Sequence, residues 1–214
     1  MARAILLDWN NTLSVSKFWE HWIEDPQHHN HYTQICNLLG HEKLADQVYE
    51  WERGGMTSED VIALVAKKLK LDFDDVLGSL KLSSKRSKLI EPEILDYVKK
   101  AKRLGYMVGI ATDNMDTFTR WTAPTLKLEY HFDVLLNSAD IGATKFDLHR
   151  DGTLKFFRRF MAEYNLKPKD IILIDDCQKL EQVVKPAGID FRRVTPNQTA
   201  TAHLERVLAH SLIY

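Results

Sequence analysis

Acidic, hydroxyl and amide side chains follow four short apolar runs of this sequence, each at the point where a run ends. The residues at these positions are Asp8, Thr112, Asn137, Asp175 and Asp176. Carboxylates brought together repel each other, so such a grouping favours a bound cation, and hard oxygen ligands suit Mg²⁺. A hydroxyl group beside the ion, together with Lys145 from the segment after the third run, would bind the oxygens of a phosphoryl group. These residue types therefore indicate phosphate chemistry.

The apolar runs are typical of buried strands, because helical patterns separate them. Strands are predicted over residues 4–7, 106–111, 134–136 and 171–174, with a weaker fifth over 189–194. Helices are predicted over residues 91–104, 153–164, 179–187 and 200–213. Such alternation builds an α/β fold, a parallel sheet with helices on both faces. Ligands bind such sheets outside the carboxyl ends of the strands, where the polar side chains would meet.

Residues 14–88 interrupt this alternation, since they show helical periodicity and no convincing strand. Thr57 or Ser58 is expected to cap one of the helices in this segment. A helical insertion directly after the first strand is predicted to cover the carboxyl edge of the sheet. The predicted organisation is an α/β core of residues 1–13 and 89–214 and a helical cap of residues 14–88.

Composition excludes several classes of protein. A chain of 214 residues, 44% of them hydrophobic, can bury a core without disulfides or a structural metal. With 29 basic and 30 acidic side chains, it lacks the charge of a broad nucleic-acid footprint. Its two cysteines favour a reducing compartment, and its apolar runs fall short of the roughly 20 residues of a membrane span. We expect a cytoplasmic protein that binds neither nucleic acid nor membrane.

Four segments resemble, in order, the four motifs of the haloacid dehalogenase (HAD) superfamily. Residues 4–13 read Ala-Ile-Leu-Leu-Asp-Trp-Asn-Asn-Thr-Leu and resemble the first motif, an apolar strand followed by Asp-x-Asp-Gly-Thr. Residues 109–114 are similar to the second motif, and residues 138–145 keep the Ser, Gly and Lys spacing of the third. Residues 171–176 resemble the fourth in its double-aspartate form. The resemblance implies a HAD-like Rossmannoid sheet with an inserted all-helical cap.

The same resemblance implies a reaction and a role for each catalytic position. Asp8 would attack phosphorus and form an aspartyl-phosphate. Thr112 would bind a phosphate oxygen, and Lys145 would bridge the nucleophile and the phosphate. The implied activity is Mg²⁺-dependent hydrolysis of a small phosphomonoester, a phosphorylated metabolite. The sequence leaves open whether the protein is a monomer or a homodimer.

The resemblance also implies the metal ligands and the loop contacts. Mg²⁺ would be held by Asp8, the backbone carbonyl of Asn10 and Asp176, with Asp175 as a supporting acid. Additional contacts to phosphate are expected from Asn11, Thr12, Asp113 and Asn114. Asn11 stands where the family usually has glycine, and asparagine tolerates the left-handed backbone such a turn requires.

Position 10 departs from the family pattern, because a carboxamide cannot transfer the proton that the usual aspartate does. Positioned acid–base catalysis contributes about 10²–10⁴-fold to a rate. Asn10 therefore leaves three interpretations open: a phosphatase that is slow or uses another acid, a non-catalytic module that binds phosphorylated ligands or protein, or an engineered substitution. Dehalogenase and phosphonate hydrolase activities fit less well, since Asp175 and Asp176 keep the metal-binding acids and no cap lysine stands out.

Two other features leave alternatives open. Lys155 rivals Lys145 for the bridging role, because Phe146 stands where proline is common and extra residues precede the next helix. The predicted cap also contains a cluster of histidine and aromatic residues, which comprises His21, His28, His29 and His31 with Trp19, Trp22 and Tyr32. These residues could serve in packing and at the surface, in contact with substrate, or as a metal site.

Overall fold

A single parallel sheet forms the centre of the computed structural model, which describes residues 3–40 and 43–211. Its five strands are β1 (Ala4–Leu7), β2 (Met107–Thr112), β3 (Val134–Asn137), β4 (Ile171–Asp175) and β5 (Asp190–Arg193). They lie in the order β3-β2-β1-β4-β5. Each strand bound lies within one residue of the predicted one, because each apolar run is sharply limited by polar residues.

The register of the sheet aligns the carboxyl ends of its three inner strands. β1 pairs with β2 and with β4, so that Leu7 lies opposite Ile110 on one side and Ile174 on the other. The N–H of Asp8 continues this ladder by donating to the carbonyl of Ile174 at 2.9 Å. The strand order departs from β1 in both directions, which makes its carboxyl end the switch point where α/β sheets bind ligands.

Eleven α-helices accompany the sheet in the described part of the chain. The helices between β1 and β2 are α1 (His29–Gly40), α2 (Ala45–Glu52), α3 (Ser58–Leu69), α4 (Phe73–Lys85) and α5 (Ile94–Arg103). The helices after β2 are α6 (Ala123–Leu126), α7 (Leu128–His131), α8 (Ser138–Ile141), α9 (Lys155–Glu163), α10 (Gln178–Val184) and α11 (Ala200–Ser211). None of the helices in the described ranges is both long and apolar enough to cross a bilayer.

The sheet is covered on both faces, because successive side chains of a strand point to opposite sides. Ile5 and Leu7 of β1 pack in one core cluster with residues of α5 and α11. Ala4 and Leu6 pack in a second cluster with residues of α9 and α10. The α/β class with helices on both faces is therefore confirmed.

The predicted helices of the core are present but shorter than their patterns. α5, α9 and α10 replace the predictions over 91–104, 153–164 and 179–187. Leu104, the last residue of the first predicted helix, follows α5 and is 42% exposed. The last two residues of the helix predicted over 200–213 lie outside the described residues.

The segment between β1 and β2 folds as a helical cap with its own hydrophobic core. Trp19, Trp51, Ile62 and Leu80 are buried there in a cluster separate from the two cores of the sheet. Thr57 is the residue that caps α3, and its hydroxyl accepts from the N–H of Asp60. An inserted helical cap was predicted, and its helices confirm it. The boundaries at residues 14 and 88 stay a prediction.

Candidate active site

Three carboxylates meet at the carboxyl ends of β1 and β4. Oxygen atoms of Asp8, Asp175 and Asp176 all lie within 4.8 Å of one another. Asp8 and Asp175 are buried, with 5% and 1% of their surface exposed, and Asp176 is half-buried. The three acids meet because two neighbouring parallel strands end at the same level.

Lys145 is buried among these carboxylates. Its Nζ donates to Asp8 Oδ1 at 2.7 Å, to Asp175 Oδ2 at 2.5 Å and to the carbonyl of Ala111 at 3.2 Å. Burial alone would lower the pKa of Lys145, but the charges of the surrounding acids raise it overall, so the ammonium form persists. Lys155, the rival in the sequence, is exposed at the start of α9. The geometry therefore places Lys145, and not Lys155, beside Asp8.

The balance of charge in this cluster favours a cation. Burial raises the pKa of Asp8 to about 7, although the charge of Lys145 lowers it, and the charge of Asp175 raises it further. Burial and the charge of Asp175 likewise raise the pKa of Asp176. One ammonium group faces three carboxylates, all of them hard oxygen donors on one rim. This donor set fits a divalent ion such as Mg²⁺.

Thr112, at the end of β2, carries a hydroxyl group that is ready for a ligand. The residue is fully buried, and its Oγ1 has no hydrogen-bond partner among the described residues. A buried polar group without a partner costs about 1–3 kcal/mol. The Oγ1 of Thr12, in the loop after β1, is in the same condition. Both hydroxyl groups fit a ligand oxygen at this edge of the sheet.

Replacing Thr112 by valine tests this interpretation of the hydroxyl. We expect Thr112→Val to leave the free energy of unfolding unchanged or to raise it by up to about 1–3 kcal/mol, because Oγ1 has no hydrogen bond to lose. With Mg²⁺ present, phosphate affinity should fall roughly 10–100-fold, the value of a hydrogen bond to a charged group. Calorimetry with inorganic phosphate and denaturant unfolding measure the two effects.

The matched control is Thr122→Val, also in the core domain. Thr122 is buried, and its Oγ1 donates to the carbonyl of Ser84 at 3.1 Å. This variant should therefore lose stability, by about 1–3 kcal/mol, and keep its phosphate affinity. Equal phosphate affinities of the Thr112→Val variant and the unmodified protein would contradict the assignment.

The loop after β1 places the two asparagines differently. Asn11 adopts a φ of 55°, the left-handed conformation that the sequence led us to expect. Asn10 is exposed and lines a cleft between the sheet and the cap. Asn10 thus lines the cleft at the sequence position where the family pattern has an acid.

The loop after β2 uses its polar groups within the protein. The carboxylate of Asp113 accepts from the N–H of Lys145 at 2.8 Å, which positions the lysine. The N–H of Asn114 donates to Ser138 Oγ at 2.9 Å, and its Oδ1 accepts from the N–H of Met115. The N–H of Asn114 is therefore engaged within the protein, and the contact of this residue with phosphate stays a prediction. Spacing along the sequence does not reveal such internal bonds.

The cleft under the cap has a volume of about 430 Å³. Asn10, Asp113 and Asn114 line it from the core. Its cap lining is mainly aromatic and apolar, with one acid, and includes Phe18, Trp19, Tyr32, Val48, Trp51 and Glu52. The cleft therefore has room for a small organic group attached to a phosphate.

The cap is docked on the core at the end of α2. Arg53 Nε donates to Asp147 Oδ2 at 2.9 Å, and its Nη2 donates to Asp147 Oδ1 and Thr144 Oγ1, both at 3.0 Å. Gly54, with a φ of 70°, lies so close to the carbonyl oxygen of Ala139 that a Cβ would overlap it. The sequence does not predict this docking role of Arg53, because an arginine after a helix is common.

A second set of contacts holds the cap against the segment after β2. Asp116 accepts from the indole Nε1 of Trp51 at 2.8 Å and from the hydroxyl of Ser58. Arg120 pairs with Asp116 and with Glu59 of the cap. The described structure therefore has the cap held against the segments that follow β2 and α8.

The histidine-rich part of the cap makes local stacking and hydrogen-bond contacts, and two residues of the predicted cluster, Trp19 and Tyr32, line the cleft. The ring of His28 stacks on Trp22 at 5.1 Å between centroids, and its Nδ1 lies 2.6 Å from Asp25. His21 Nε2 lies 3.2 Å from the hydroxyl of Ser79. Across residues 3–40 and 43–211, metal-ligand atoms cluster only at the three aspartates. The structure therefore favours packing over a metal site for these histidines.

An open parallel sheet with an acidic rim at its switch point, a buried lysine and a helical cap defines a Rossmann-like α/β class of protein. A family model described as haloacid dehalogenase-like hydrolase matches residues 27–194. The chain therefore belongs to the haloacid dehalogenase-like hydrolase family. The matched region contains Thr112, Lys145 and the two acids at the end of β4, and it begins after Asp8.

Solved structures show the same fold. A HAD family enzyme from Bacteroides thetaiotaomicron is 17% identical, with a TM-score of 0.66 over 96% of this chain and 98% of that one. A HAD-like hydrolase from Porphyromonas gingivalis is 16% identical, with a TM-score of 0.67 over 97% and 98%. The L-2-haloacid dehalogenase from Xanthobacter autotrophicus is 14% identical, with a TM-score of 0.64 over 98% and 83%. No curated protein matches the chain significantly.

Proposed function

We propose that this chain is a magnesium-dependent phosphohydrolase that transfers the phosphoryl group of a small phosphomonoester to Asp8 and then to water. The observation that supports this most strongly is the joint placement of three carboxylates, the buried Lys145 and the unpartnered hydroxyl of Thr112. A structure of the related Bacteroides enzyme, 16% identical, is a complex with magnesium and inorganic phosphate. That complex supports the proposal by analogy of fold.

Mg²⁺ would be held by Asp8, the carbonyl of Asn10 and Asp176, with Asp175 supporting the site. When bound, the ion supplies positive charge to carboxylate and phosphate oxygens that would otherwise repel each other.

The side chains of this chain would carry out the transfer. A carboxylate oxygen of Asp8 forms a bond to phosphorus while the ester P–O bond breaks and the leaving oxygen takes its electron pair. Lys145 and Thr112 hold the charge and the orientation of the phosphoryl group. Water then attacks phosphorus, which releases inorganic phosphate and restores Asp8. The docked cap limits the access of bulk water to this step.

Asn10 supports a second candidate, a module that binds phosphorylated ligands without turnover. Its carboxamide lies at the cleft, and it can neither give nor take a proton there. The dehalogenase alternative, suggested by the Xanthobacter relative, fits the site less well. Displacement of a halide by a carboxylate needs no cation, whereas the three clustered acids of this site favour one.

The test of the function is release of phosphate from a panel of sugar, nucleotide and amino-acid phosphates and from p-nitrophenyl phosphate. We expect turnover with Mg²⁺ and none after chelation. Asp176→Asn should weaken Mg²⁺ binding by at least about tenfold in calorimetry, because it removes one ligand charge. Asp74→Asn, an exposed acid of α4, is the control and should bind Mg²⁺ normally.

Two results would separate the candidates. Phosphate binding in the presence of Mg²⁺ without release from any ester would support the non-catalytic module. Equal Mg²⁺ affinity of the Asp176→Asn variant and the unmodified protein would contradict the metal site itself.

A further inference from the structure

Glu52, the last residue of α2, contributes an acid to the cleft that the sequence motifs do not account for. It lines the cleft together with Asn10 and Asp113. The residue is half-buried, and within the described part of the chain no hydrogen bond or ion-pair contact engages its carboxylate. A partly desolvated carboxylate without a partner destabilises the fold, and such groups in a cleft are typical of functional sites.

The neighbours of Glu52 hold this end of α2 against the core. Its neighbour Arg53 is committed to Asp147 and Thr144, on either side of Lys145 in sequence, and does not pair with Glu52. Trp51, on its other side, donates to Asp116. The residue is therefore fixed on both flanks by contacts that tie the cap to the core.

From this position, and resting on the phosphohydrolase function proposed above, we propose that Glu52 is the general acid–base of the reaction. It would supply from the cap the proton that Asn10 cannot supply from the core. This arrangement explains how an asparagine is compatible with turnover at position 10.

Glu52 gives up one proton in the first half of the reaction and regains one in the second half. As the P–O bond to the leaving group breaks, the Glu52 carboxyl gives its proton to the leaving oxygen and an alcohol departs. The resulting carboxylate then takes a proton from the water whose oxygen attacks phosphorus. The acyl-phosphate P–O bond breaks, and Asp8 is restored as a carboxylate and Glu52 as an acid.

The charged groups that face Glu52 are consistent with this role. Burial raises the pKa of Glu52, the charge of Asp113 raises it further, and Arg53 lowers it. Lys17 also lines the cleft, from the segment before α1. A raised pKa keeps the carboxyl protonated to higher pH, as a general acid requires. Asp113 is the weaker candidate, because its carboxylate is engaged by the N–H of Lys145.

The experiment compares Glu52→Gln with Glu50→Gln, an exposed glutamate of the same helix. Phosphate release is measured for p-nitrophenyl phosphate, whose leaving group needs little protonation, and for alkyl phosphates, whose leaving group needs a proton. We expect Glu52→Gln to slow alkyl phosphate turnover by about 10²-fold or more, with a smaller loss for p-nitrophenyl phosphate. In the unmodified protein, kcat should fall as the pH rises and Glu52 loses its proton. In Glu52→Gln this fall should disappear. Glu50→Gln should behave as the unmodified protein.

Two additional measurements keep the proposal falsifiable. Asn10→Asp in the Glu52→Gln background should restore most of the alkyl phosphate activity, because it returns an acid to the site. Carboxyl NMR titration should show a Glu52 pKa above the ordinary value of about 4.3, independently of turnover.

Normal turnover by Glu52→Gln, or an equal loss on all substrates, would overturn the role of Glu52 and leave the phosphohydrolase function intact. No phosphate release by the unmodified protein would overturn both. An ordinary or lowered pKa would also exclude Glu52 as the acid.

Discussion

Replacement of Asp8 by asparagine is expected to lower phosphate release by about 10⁴-fold or more, since removal of a covalent nucleophile leaves only binding and electrostatic effects. The amide has the shape of the carboxylate, and Lys145 keeps its contact with Asp175 in the variant. The fold should therefore persist while the attack on phosphorus is lost. Steady-state turnover with Mg²⁺ measures the effect.

A covalent intermediate provides the independent check on Asp8. Acid-quenched, substrate-treated protein should carry a phosphoryl group on Asp8 in mass spectrometry, and the Asp8→Asn variant should carry none. Asp46→Asn, an exposed acid of α2, is the matched control and should keep full activity. Turnover by Asp8→Asn above a tenth of the unmodified rate would exclude Asp8 as nucleophile.

Replacement of Lys145 by methionine is expected to destabilise the fold as well as the reaction. Lys145 is 3% exposed and is the ion-pair partner of both Asp8 and Asp175. Methionine would leave these carboxylates buried without it, which costs about 3–5 kcal/mol for a broken buried pair. Turnover should fall by about 10³-fold, the effect of losing a donor to developing charge. Denaturant unfolding and steady-state kinetics measure the two losses.

Lys155→Met distinguishes the two lysines that the sequence could not separate. Lys155 is exposed, so its variant should change stability by less than about 0.5 kcal/mol and keep full turnover. Added Mg²⁺ should restore part of the stability of Lys145→Met, because the cation replaces some of the lost charge. Similar losses in the two lysine variants would contradict the geometry of the site.

Local patterns in the sequence were sufficient for the architecture. The apolar runs that became β1, β2 and β4 are bounded by polar residues, so a short window contains both the strand and its end. The parallel arrangement followed from the helices between them. Because the carboxyl ends of parallel strands meet at one edge of a sheet, the sequence alone predicts that Asp8, Asp175 and Asp176 lie close to one another.

Only the tertiary structure decided how loops and the cap complete the site. It placed Lys145 rather than Lys155 on Asp8, and it used the N–H of Asn114 for Ser138. Contacts such as the pair of Arg53 and Asp147 join positions 94 residues apart. Helical periodicity reports which face of a helix is apolar, but not which loop of the core that face meets. The placement of Glu52 in one cleft with Asn10 therefore depends on how the cap packs on the core, which no local pattern encodes.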